Sequence, residues 1–285
     1  MVSIISILIC LVFASSITFL SSSESIMVNE MPLIYYSALL SFLVHLIIFI
    51  PSFIYKTEKF FDFTGSLAFL SIMIFSVYLK NSIIGSIDIH SIILFIFISI
   101  WTIRLGSFLF YRIFKTGHDP RFNELKQSFL PFLMTWTLSA TWVVLTLLPA
   151  MVILTSSISA DISYFTFLGA IIWLFGFLFE VLADFQKTNF KNNSENKGQF
   201  ITEGLWGLCR HPNYFGEIIL WFGIWIITFP LLSGWEYITL ISPFFVYLLL
   251  TSVSGINLVE KKWKDSKEYQ EYKKRVPELI PKYWN

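Results

Sequence analysis

Apolar residues occur along the chain in eight long runs separated by short polar stretches. Each run is close to the roughly 20 residues that a helix needs to cross the hydrocarbon core of a bilayer. In that environment the backbone polar groups must bond to one another, which favours helices over open sheets. The pattern therefore predicts an all-α, polytopic transmembrane helical bundle with about eight spans: 2–20, 33–54, 63–79, 91–111, 129–149, 163–183, 214–233 and 237–254.

The composition excludes several classes of protein. Hydrophobic residues make up 55% of the 285 residues and charged residues only 14%, whereas soluble domains average about 25% charged residues. The net charge of +1 is not that of a nucleic-acid-binding protein, so no nucleic-acid partner is expected. The two cysteines, Cys10 and Cys209, lie far apart and belong to no metal-binding or disulfide motif.

Charge is distributed unequally between the two sides of the predicted bundle. When both termini are placed inside, 18 of the 20 Lys and Arg residues fall in inside segments, and the exceptions are Lys80 and Arg104. Cytosolic loops of membrane proteins carry such an excess of cations. The first span lacks the basic residues that open a signal peptide, so we interpret it as an anchor rather than a cleaved signal. Both termini are predicted to be cytosolic, in a multi-pass protein of the endoplasmic reticulum or the bacterial inner membrane.

The polar segments define the predicted organisation of a single membrane-embedded domain, residues 1–285. Its parts are N-terminal spans with a first cytosolic loop (1–128), core spans with a long cytosolic loop at 184–213 (129–254), and a polar tail (255–285). Apolar residues of the tail recur at helical spacing: Val259, Trp263, Tyr269, Tyr272 and Val276. This spacing predicts an amphipathic helix on the membrane surface with its rings among the lipid headgroups.

The most informative polar stretch is FITEGLWGLCRHPNYFGE, residues 200–217. Pro212 restricts His211 to extended geometry, which predicts a rigid turn before the next helix. Arg210 offers a planar fork for phosphate or carboxylate, and His211 and Asn213 offer further hydrogen-bonding groups. The turn is therefore either an anion-binding site at a helix N-terminus or a basic, aromatic anchor at the membrane interface.

Three carboxylates lie at the ends of two neighbouring spans. Glu180 and Asp184 are four residues apart and share a helix face, and Glu217 begins the next span. Ionisable groups at membrane depth are costly, and a functional role is the first hypothesis for them. The cations available to pair with them are Lys187, Lys191 and Arg210. The pattern fits either a ligand-binding site or a structural network of ion pairs that joins two helices.

A further group of ionisable residues surrounds the end of the fourth span, in WTIRLGSFLFYRIFKTGHDPRF. Arg104 lies among apolar residues, where it either extends to the interface or faces a cavity. Tyr111 follows it near the cytosolic end of the span. His45 and His90 are isolated among apolar residues, and we interpret them as structural. The sequence contains no metal-ligand spacing and no glycine-rich dinucleotide motif, so no metal site is expected.

Four segments resemble the steroid 5-alpha-reductase C-terminal-domain family of membrane reductases, in a poorly characterised branch. They are FFDFTGSLAFL (60–70), RLGSFLFYRIFKTGHDPRF (104–122), FEVLADFQKTNFK through RHPNYFGE (179–217) and EYKKRVPELIP (271–281). The pair of motifs within 179–217 is specific to this branch. The RHPxY motif alone also occurs in isoprenylcysteine carboxyl methyltransferases and related enzymes. Together the segments span most of the chain, without the first span.

The resemblance implies a helical bundle with an NADPH pocket that opens to the cytosol. Several residues fall where family members hold the cofactor: Asp184, Asn213, Tyr214 and Glu217. Glu180 stands where the steroid reductases tend to have an Asn, and Glu260 where several have a His, so the cofactor contacts differ in detail. The steroid reductases also polarise a substrate carbonyl with a Tyr and a Glu in earlier spans. Neither has a clear match here, and Tyr111 is only a nearby substitute.

These observations predict an oxidoreductase that uses NADPH to reduce a C=C bond conjugated to a carbonyl in a steroid- or lipid-like substrate. Tyr111 or Arg104 is predicted to donate a hydrogen bond to the enolate that forms. The predicted cofactor-binding residues are Glu180, Asp184, Lys187, Lys191, Arg210, His211, Asn213, Tyr214, Glu217 and Glu260.

Two alternatives stay open at this point. One is an S-adenosylmethionine-dependent membrane methyltransferase that acts on a lipid or a lipidated thiol. The other is a non-catalytic membrane protein of the same fold. In each case membrane lipids are expected partners, and the sequence carries no signal for an oligomeric state.

Overall fold

The computed structural model describes residues 1–253 and 255–282 of the chain. It is 77% helical, and within the described residues eight helical segments are long and apolar enough to cross a membrane. The predicted all-α architecture with about eight spans is therefore confirmed. The spans are Val2–Leu20, Leu33–Ile54, Phe61–Ile84, Ile89–Thr116, Phe129–Thr155, Tyr164–Asn192, Pro212–Leu231 and Gly234–Lys261.

The first six spans are single α-helices, which we number α1 to α6 in the order just given. Several are longer than the apolar runs that predicted them; α4, for example, continues to Thr116 rather than ending at 111. The helical hydrogen-bonding pattern continues beyond the apolar residues, and each helix ends where a residue adopts a non-helical backbone conformation. Gly85 and Gly117 follow α3 and α4 with φ angles of +79° and +82°, a conformation that glycine adopts without steric cost.

The last two spans are less regular. A short helix, α7 (Leu205–Leu208), precedes α8 (Pro212–Thr228), which continues into a 3₁₀ turn at Phe229–Leu231. The eighth span, predicted as one helix over 237–254, contains a 3₁₀ helix (Gly234–Leu240), α9 (Ile241–Leu248) and a π-helical turn (Leu249–Val253). The first part of the predicted tail, α10 (Ile256–Lys261), also falls within the span Gly234–Lys261. The rest of the tail contains α11 (Lys267–Arg275).

The other ordered elements are small. Three 3₁₀ turns lie in the loops, at Pro120–Phe122, Leu125–Gln127 and Ser194–Asn196. The strands β1 (Met27–Val28) and β2 (Met31–Pro32) pair antiparallel between α1 and α2.

The chain divides into two compact units. Unit 1 comprises residues 1–163 and 228–242, and unit 2 comprises residues 164–227 together with the described residues from 243 onward. The grouping predicted from the sequence, a single domain with divisions after 128 and 254, stays a prediction.

In unit 1, α5 packs against α1, α2, α3 and α4 and is buried along most of its length. His45 on α2 is bound on both sides of its ring. Its Nδ1 atom lies 2.8 Å from the Ser41 carbonyl oxygen and its Nε2 atom 3.1 Å from Ser139 Oγ. These contacts agree with the structural role that we inferred for His45.

A buried ion pair joins three helices of unit 1. Lys80 on α3 pairs with Asp88, which precedes α4. The Lys80 ammonium also donates to Ser91 Oγ at 3.0 Å and to the Ile153 carbonyl at 2.9 Å. Lys80 is one of the two cations outside the predicted cytosolic segments. Its ammonium group donates to Asp88, Ser91 and the Ile153 carbonyl, so its charge and its donors are satisfied inside the protein.

In unit 2, α6 and α8 approach each other through four glycines, which we call the glycine seam: Gly169 and Gly176 on α6, and Gly216 and Gly223 on α8. A Cβ atom at Gly176 would lie 2.6 Å from the Gly216 carbonyl oxygen, and one at Gly223 would lie 2.8 Å from the Gly169 carbonyl oxygen. Small residues permit such close backbone approach between membrane helices. The seam fixes the spacing of the two helices that carry most of the candidate site.

Candidate functional site

Unit 2 contains all the residues predicted to bind the cofactor, and unit 1 contains both residues predicted to be catalytic. The first set is Glu180, Asp184, Lys187, Lys191, Arg210, His211, Asn213, Tyr214, Glu217 and Glu260. These residues come from α6, from the loop and turn that lead to α8, from α8 itself and from α10. We therefore describe the candidate site within unit 2.

The glycine seam positions three buried carboxylates. Glu180 and Asp184 on α6 and Glu217 on α8 have exposed fractions of 2%, 6% and 9%. A Cβ atom at Gly216 would lie 2.6 Å from the Glu180 backbone nitrogen, so the start of α8 packs directly against the part of α6 that carries Glu180. Buried carboxylates stabilise positive charge beside them and destabilise negative charge. The arrangement suits a ligand that donates hydrogen bonds or that gains positive charge.

Asn213, in the first turn of α8, presents an unsatisfied acceptor. Its Oδ1 atom is buried and has no hydrogen-bond partner among the described residues. Buried polar atoms are nearly always paired, and leaving one unpaired costs about 1–3 kcal/mol. A ligand N–H or O–H group would satisfy this atom. A nicotinamide cofactor, whose carboxamide and ribose hydroxyls are hydrogen-bond donors, is one ligand that would supply such a group.

Arg210 and His211 are bound to the tail through one carboxylate. Arg210 Nε donates to Glu260 Oε1 at 2.8 Å, and His211 Nε2 lies 3.1 Å from the same oxygen. Lys273 Nζ donates to Glu260 Oε2 at 2.6 Å. Because a carboxylate only accepts hydrogen bonds, His211 carries a proton on Nε2. We call Glu260 with these three partners the Glu260 hub.

The Arg210 guanidinium has further partners in the tail. Its Nη1 atom donates to the Val276 carbonyl at 2.9 Å, and its Nη2 atom donates to Glu278 Oε2 at 3.2 Å. The Arg210 backbone N–H donates to the Pro277 carbonyl at 2.9 Å. The sequence predicted a fork for phosphate or carboxylate, and in this structure carboxylates and carbonyls occupy it. A phosphate contact by Arg210 stays a prediction, and it requires these bonds to be exchanged.

The turn that precedes α8 is buried, with Cys209 and His211 almost fully covered. Burial lowers the pKa of His211 below its ordinary value, against the opposing effect of its hydrogen bond to Glu260, and the ring stacks on Tyr214 with centroids 5.3 Å apart. Burial also raises the pKa of the Cys209 thiol to about 12. The thiol is therefore protonated at neutral pH, a form that is not nucleophilic. The side chains of this turn can therefore form hydrogen bonds to a ligand, but Cys209 is not suited to act as a nucleophile.

The aromatic residues of the tail pack against the protein. One buried cluster contains Tyr269, Tyr272 and Val276 with Phe200 and Trp263 packed on it. Tyr272 Oη also donates to the Trp206 carbonyl. The prediction of a helix in the tail is confirmed by α11, but the prediction that the rings lie among lipid headgroups is wrong for Tyr269 and Tyr272, which are buried in the protein together with Val276. The loop before α8 provides an apolar partner for them, which spacing within the tail cannot reveal.

Lys187 and Lys191 lie in the last turns of α6. Lys187 Nζ is 4.3 Å from the centroid of the Trp206 ring, and Trp206 Nε1 donates to the Ala183 carbonyl at 3.0 Å. These contacts dock α7 on α6. Lys191 is exposed at the end of α6.

Sequence reasoning missed four residues that hold the site together: Gln186, Trp206, Lys273 and Glu278. Gln186 Oε1, for example, accepts a hydrogen bond from the Leu205 backbone N–H at 2.9 Å. All four belong to segments that carry the family resemblance, which was the available signal. Their roles depend on contacts between segments far apart in the chain, and no local pattern encodes those contacts.

The two predicted catalytic residues lie on α4. Tyr111 is 67% exposed, and Arg104 is half-buried with its guanidinium carbon 5.5 Å from the centroid of the Phe108 ring. Their roles as donors to a substrate stay predictions.

The apolar spans make this an integral multi-pass membrane protein. The model of a family described as "Protein of unknown function (DUF1295)" matches residues 48–276. Because this match covers most of the chain, the protein belongs to that family. The family is associated with steroid 5-alpha-reductase-like membrane proteins, in agreement with the resemblance noted in the sequence. No curated protein matches the chain.

Proposed function

We propose that the protein is a membrane oxidoreductase that uses NADPH to reduce a C=C bond conjugated to a carbonyl in a steroid- or lipid-like substrate. The observation that carries the proposal is the buried, unpartnered Oδ1 atom of Asn213, in the unit that also holds Glu180, Asp184 and Glu217. These residues would hold the carboxamide and ribose of the cofactor. When bound, NADPH would supply the hydride. Family membership supports a reductase-like protein at the level of the family.

The buried carboxylates have a second role in this proposal. Loss of a hydride leaves positive charge on the donor, and fixed negative groups stabilise charge that develops in the transition state. We propose that Glu180, Asp184 and Glu217 act in this way in their ionised forms. All three are buried and held by helices, and water screens charge less in such positions.

The remaining roles follow the sequence predictions. Lys187 and Lys191 are proposed to bind the cofactor phosphates, and Arg210 joins them only if it exchanges its bonds to the tail. Tyr111 and Arg104 are the proposed donors to the enolate oxygen of the substrate.

A second candidate function is that of an S-adenosylmethionine-dependent membrane methyltransferase. Two observations favour it. The first is that buried carboxylates attract a sulfonium cation. The second is that the Arg210 guanidinium is already bound to Glu260, so it is not free to bind a phosphate. The third candidate, a non-catalytic membrane protein of the same fold, predicts binding of neither nucleotide.

Nucleotide binding to the detergent-solubilised protein tests the proposal. We expect Asn213→Ala and Asp184→Ala each to weaken NADPH binding about 5- to 150-fold, since loss of a hydrogen bond from a buried group costs about 1–3 kcal/mol. The ligand-free variants should still insert and fold. The matched control is Asn189→Ala, which removes an exposed amide from α6 and should leave NADPH affinity as it is.

The same experiment separates the three candidates. Affinity for NADPH should fall as salt rises, because salt screens the attraction between its phosphates and the lysines. Selective, salt-insensitive binding of S-adenosylmethionine without NADPH binding would contradict the reductase proposal. If both variants lose stability in the absence of ligand, the carboxylate cluster is a structural network instead.

We also propose that both termini are cytosolic, because 18 of the 20 Lys and Arg residues then lie inside. Reporter domains fused to each end, of a kind active only on one side of the membrane, should both report the cytosol. A C-terminus on the opposite side would place the tail and the candidate site away from cytosolic NADPH. That result would overturn the proposed use of the cofactor.

A further inference from the structure

An apolar groove lies in unit 1 beside the end of α2. It encloses a cavity of about 300 Å³, and its lining includes Ile48, Pro51, Tyr55, Thr57, Phe60 and Phe63. On the same end of α2, Ile47 and Ile54 are each 66% exposed. Exposed isoleucines on a membrane-spanning helix are in contact with lipid, because the hydrocarbon core of the bilayer contains no water. A hydrocarbon chain is therefore the natural occupant of the groove.

The segment between α2 and α3 presents positive charge beside this groove. It carries Lys56, Glu58 and Lys59, but Glu58 is only 3% exposed. Glu58 accepts from Lys126 Nζ at 2.6 Å and from the Asp119 backbone N–H at 2.8 Å. These bonds lower the pKa of Glu58 below its ordinary value although burial opposes its ionisation. The negative charge of Glu58 is therefore compensated by Lys126 and does not offset the charges of Lys56 and Lys59.

The charges of the two lysines stay available to a ligand, although Lys56 Nζ also donates to the Gln127 carbonyl oxygen at 3.4 Å. Neither Lys56 nor Lys59 forms an ion pair among the described residues. Lys56 Nζ lies 3.6 Å from the centroid of the Phe53 ring, close to the helix that lines the groove. An apolar groove with uncompensated cations beside it is complementary to an amphipathic anion.

The backbone at Lys56 provides a second observation. This residue follows α2 with a φ angle of +50°, in the left-handed region that glycine or asparagine usually occupies after a helix. A lysine there is strained, and such strain is often found where a side chain has a function. The strained backbone at Lys56 thus favours a functional role for its side chain.

We infer that the groove binds one acyl chain of an anionic phospholipid, with the lipid phosphate held by Lys56 and Lys59. The inference does not depend on the proposed reductase activity, because all the residues involved lie in unit 1 and none belongs to the candidate site. It assigns the loop between α2 and α3 to lipid recognition in the adjoining leaflet.

Native mass spectrometry of the full chain in a neutral maltoside detergent tests this inference. The probes are short-chain phosphatidylglycerol, which is anionic, and phosphatidylcholine of the same chain length, which is zwitterionic. We expect tighter binding of phosphatidylglycerol. The double variant Lys56→Gln/Lys59→Gln should lower that affinity roughly 30-fold, since each lysine near an anionic lipid contributes about a fivefold gain. Binding of phosphatidylcholine should stay as it is.

Two further variants sharpen the result. Ile48→Trp fills the groove and should weaken binding of both lipids. Lys264→Gln/Lys267→Gln removes the same charge from exposed positions in the tail and should leave both affinities unchanged. Equal binding of the two lipids by the unaltered protein, or an equal loss in the two double variants, would overturn the inference. If Ile48→Trp does not fold, the comparison of the double variants still decides it.

Discussion

Replacing Glu260 by alanine is expected to detach α10 from the turn before α8 and from α11, and to lower the free energy of unfolding by about 3 kcal/mol. The substitution leaves buried Arg210 with only the half-exposed carboxylate of Glu278 among its described ion-pair partners, and removal of one partner of a buried ion pair typically costs about 3–5 kcal/mol. We expect the lower end of this range because Lys273, the third partner, is 37% exposed and keeps contact with water. Thermal melting in detergent measures the loss of stability.

Detachment of α10 has its own signature. In the native protein Glu260 joins α10 to Lys273 of α11 and to Arg210 and His211, so the segment between α10 and α11 is held at both ends. In Glu260→Ala, trypsin should cut between α10 and α11 much faster, before the spans are affected. The matched control is Glu271→Ala on α11, which breaks an exposed pair with Lys274 at 2.7 Å. Such surface pairs contribute little, and equal effects of the two variants would contradict a structural role for the hub.

Substituting Gly216 by alanine is expected to force α6 and α8 apart. The added Cβ atom would lie 2.6 Å from both the Glu180 backbone nitrogen and the Gly176 carbonyl oxygen. These are backbone atoms of a helix, so they cannot move aside as a flexible side chain can. Overpacking of this kind costs about 1–3 kcal/mol. Because Asn213 and Glu217 lie on α8 beside this contact, binding of nucleotide should be lost together with stability.

Gly65→Ala is the control for this experiment. Gly65 also lies within a membrane-spanning helix, α3, but its added Cβ would meet Trp142 at 3.4 Å, an ordinary van der Waals distance. Alanine is a better helix former than glycine by about 1 kcal/mol, so we expect equal or slightly higher stability. Thermal melting of both variants, with nucleotide binding measured in parallel, checks the prediction. A Gly216→Ala protein as stable as Gly65→Ala would show that the seam is not tightly packed.

The bundle was predictable because the signal for a membrane span is local. About 20 apolar residues in a row identify each helix, and no partner segment has to be known. The ends were less predictable because polar residues can continue a helix beyond the bilayer, as they do at the end of α4. For the eighth span the sequence predicted where the span lies but not its internal geometry. Nothing in residues 237–254 indicates the change from a 3₁₀ helix to an α-helix and then to a π-helical turn.

Parts of the candidate site were also readable from local spacing. Glu180 and Asp184 lie four residues apart on one helix, as predicted, and α8 starts at Pro212, two residues before the predicted span. The partner of Arg210 was not readable in this way. The planar fork indicated phosphate or carboxylate, and the structure brings Glu260, 50 residues later in the chain, to within 2.8 Å.

The sequence by itself determined the class of this protein, its eight spans and the residues that carry its polar chemistry, because hydrophobicity and helix formation depend on neighbouring residues. The tertiary structure alone decided which of those residues meet. It bound Arg210 and His211 to Glu260, buried Tyr269 and Tyr272 under the loop before α8, and left Asn213 Oδ1 without a partner among the described residues. Such outcomes depend on how closely distant segments pack; between α6 and α8, for example, that distance is set by glycines whose contribution is the absence of a side chain.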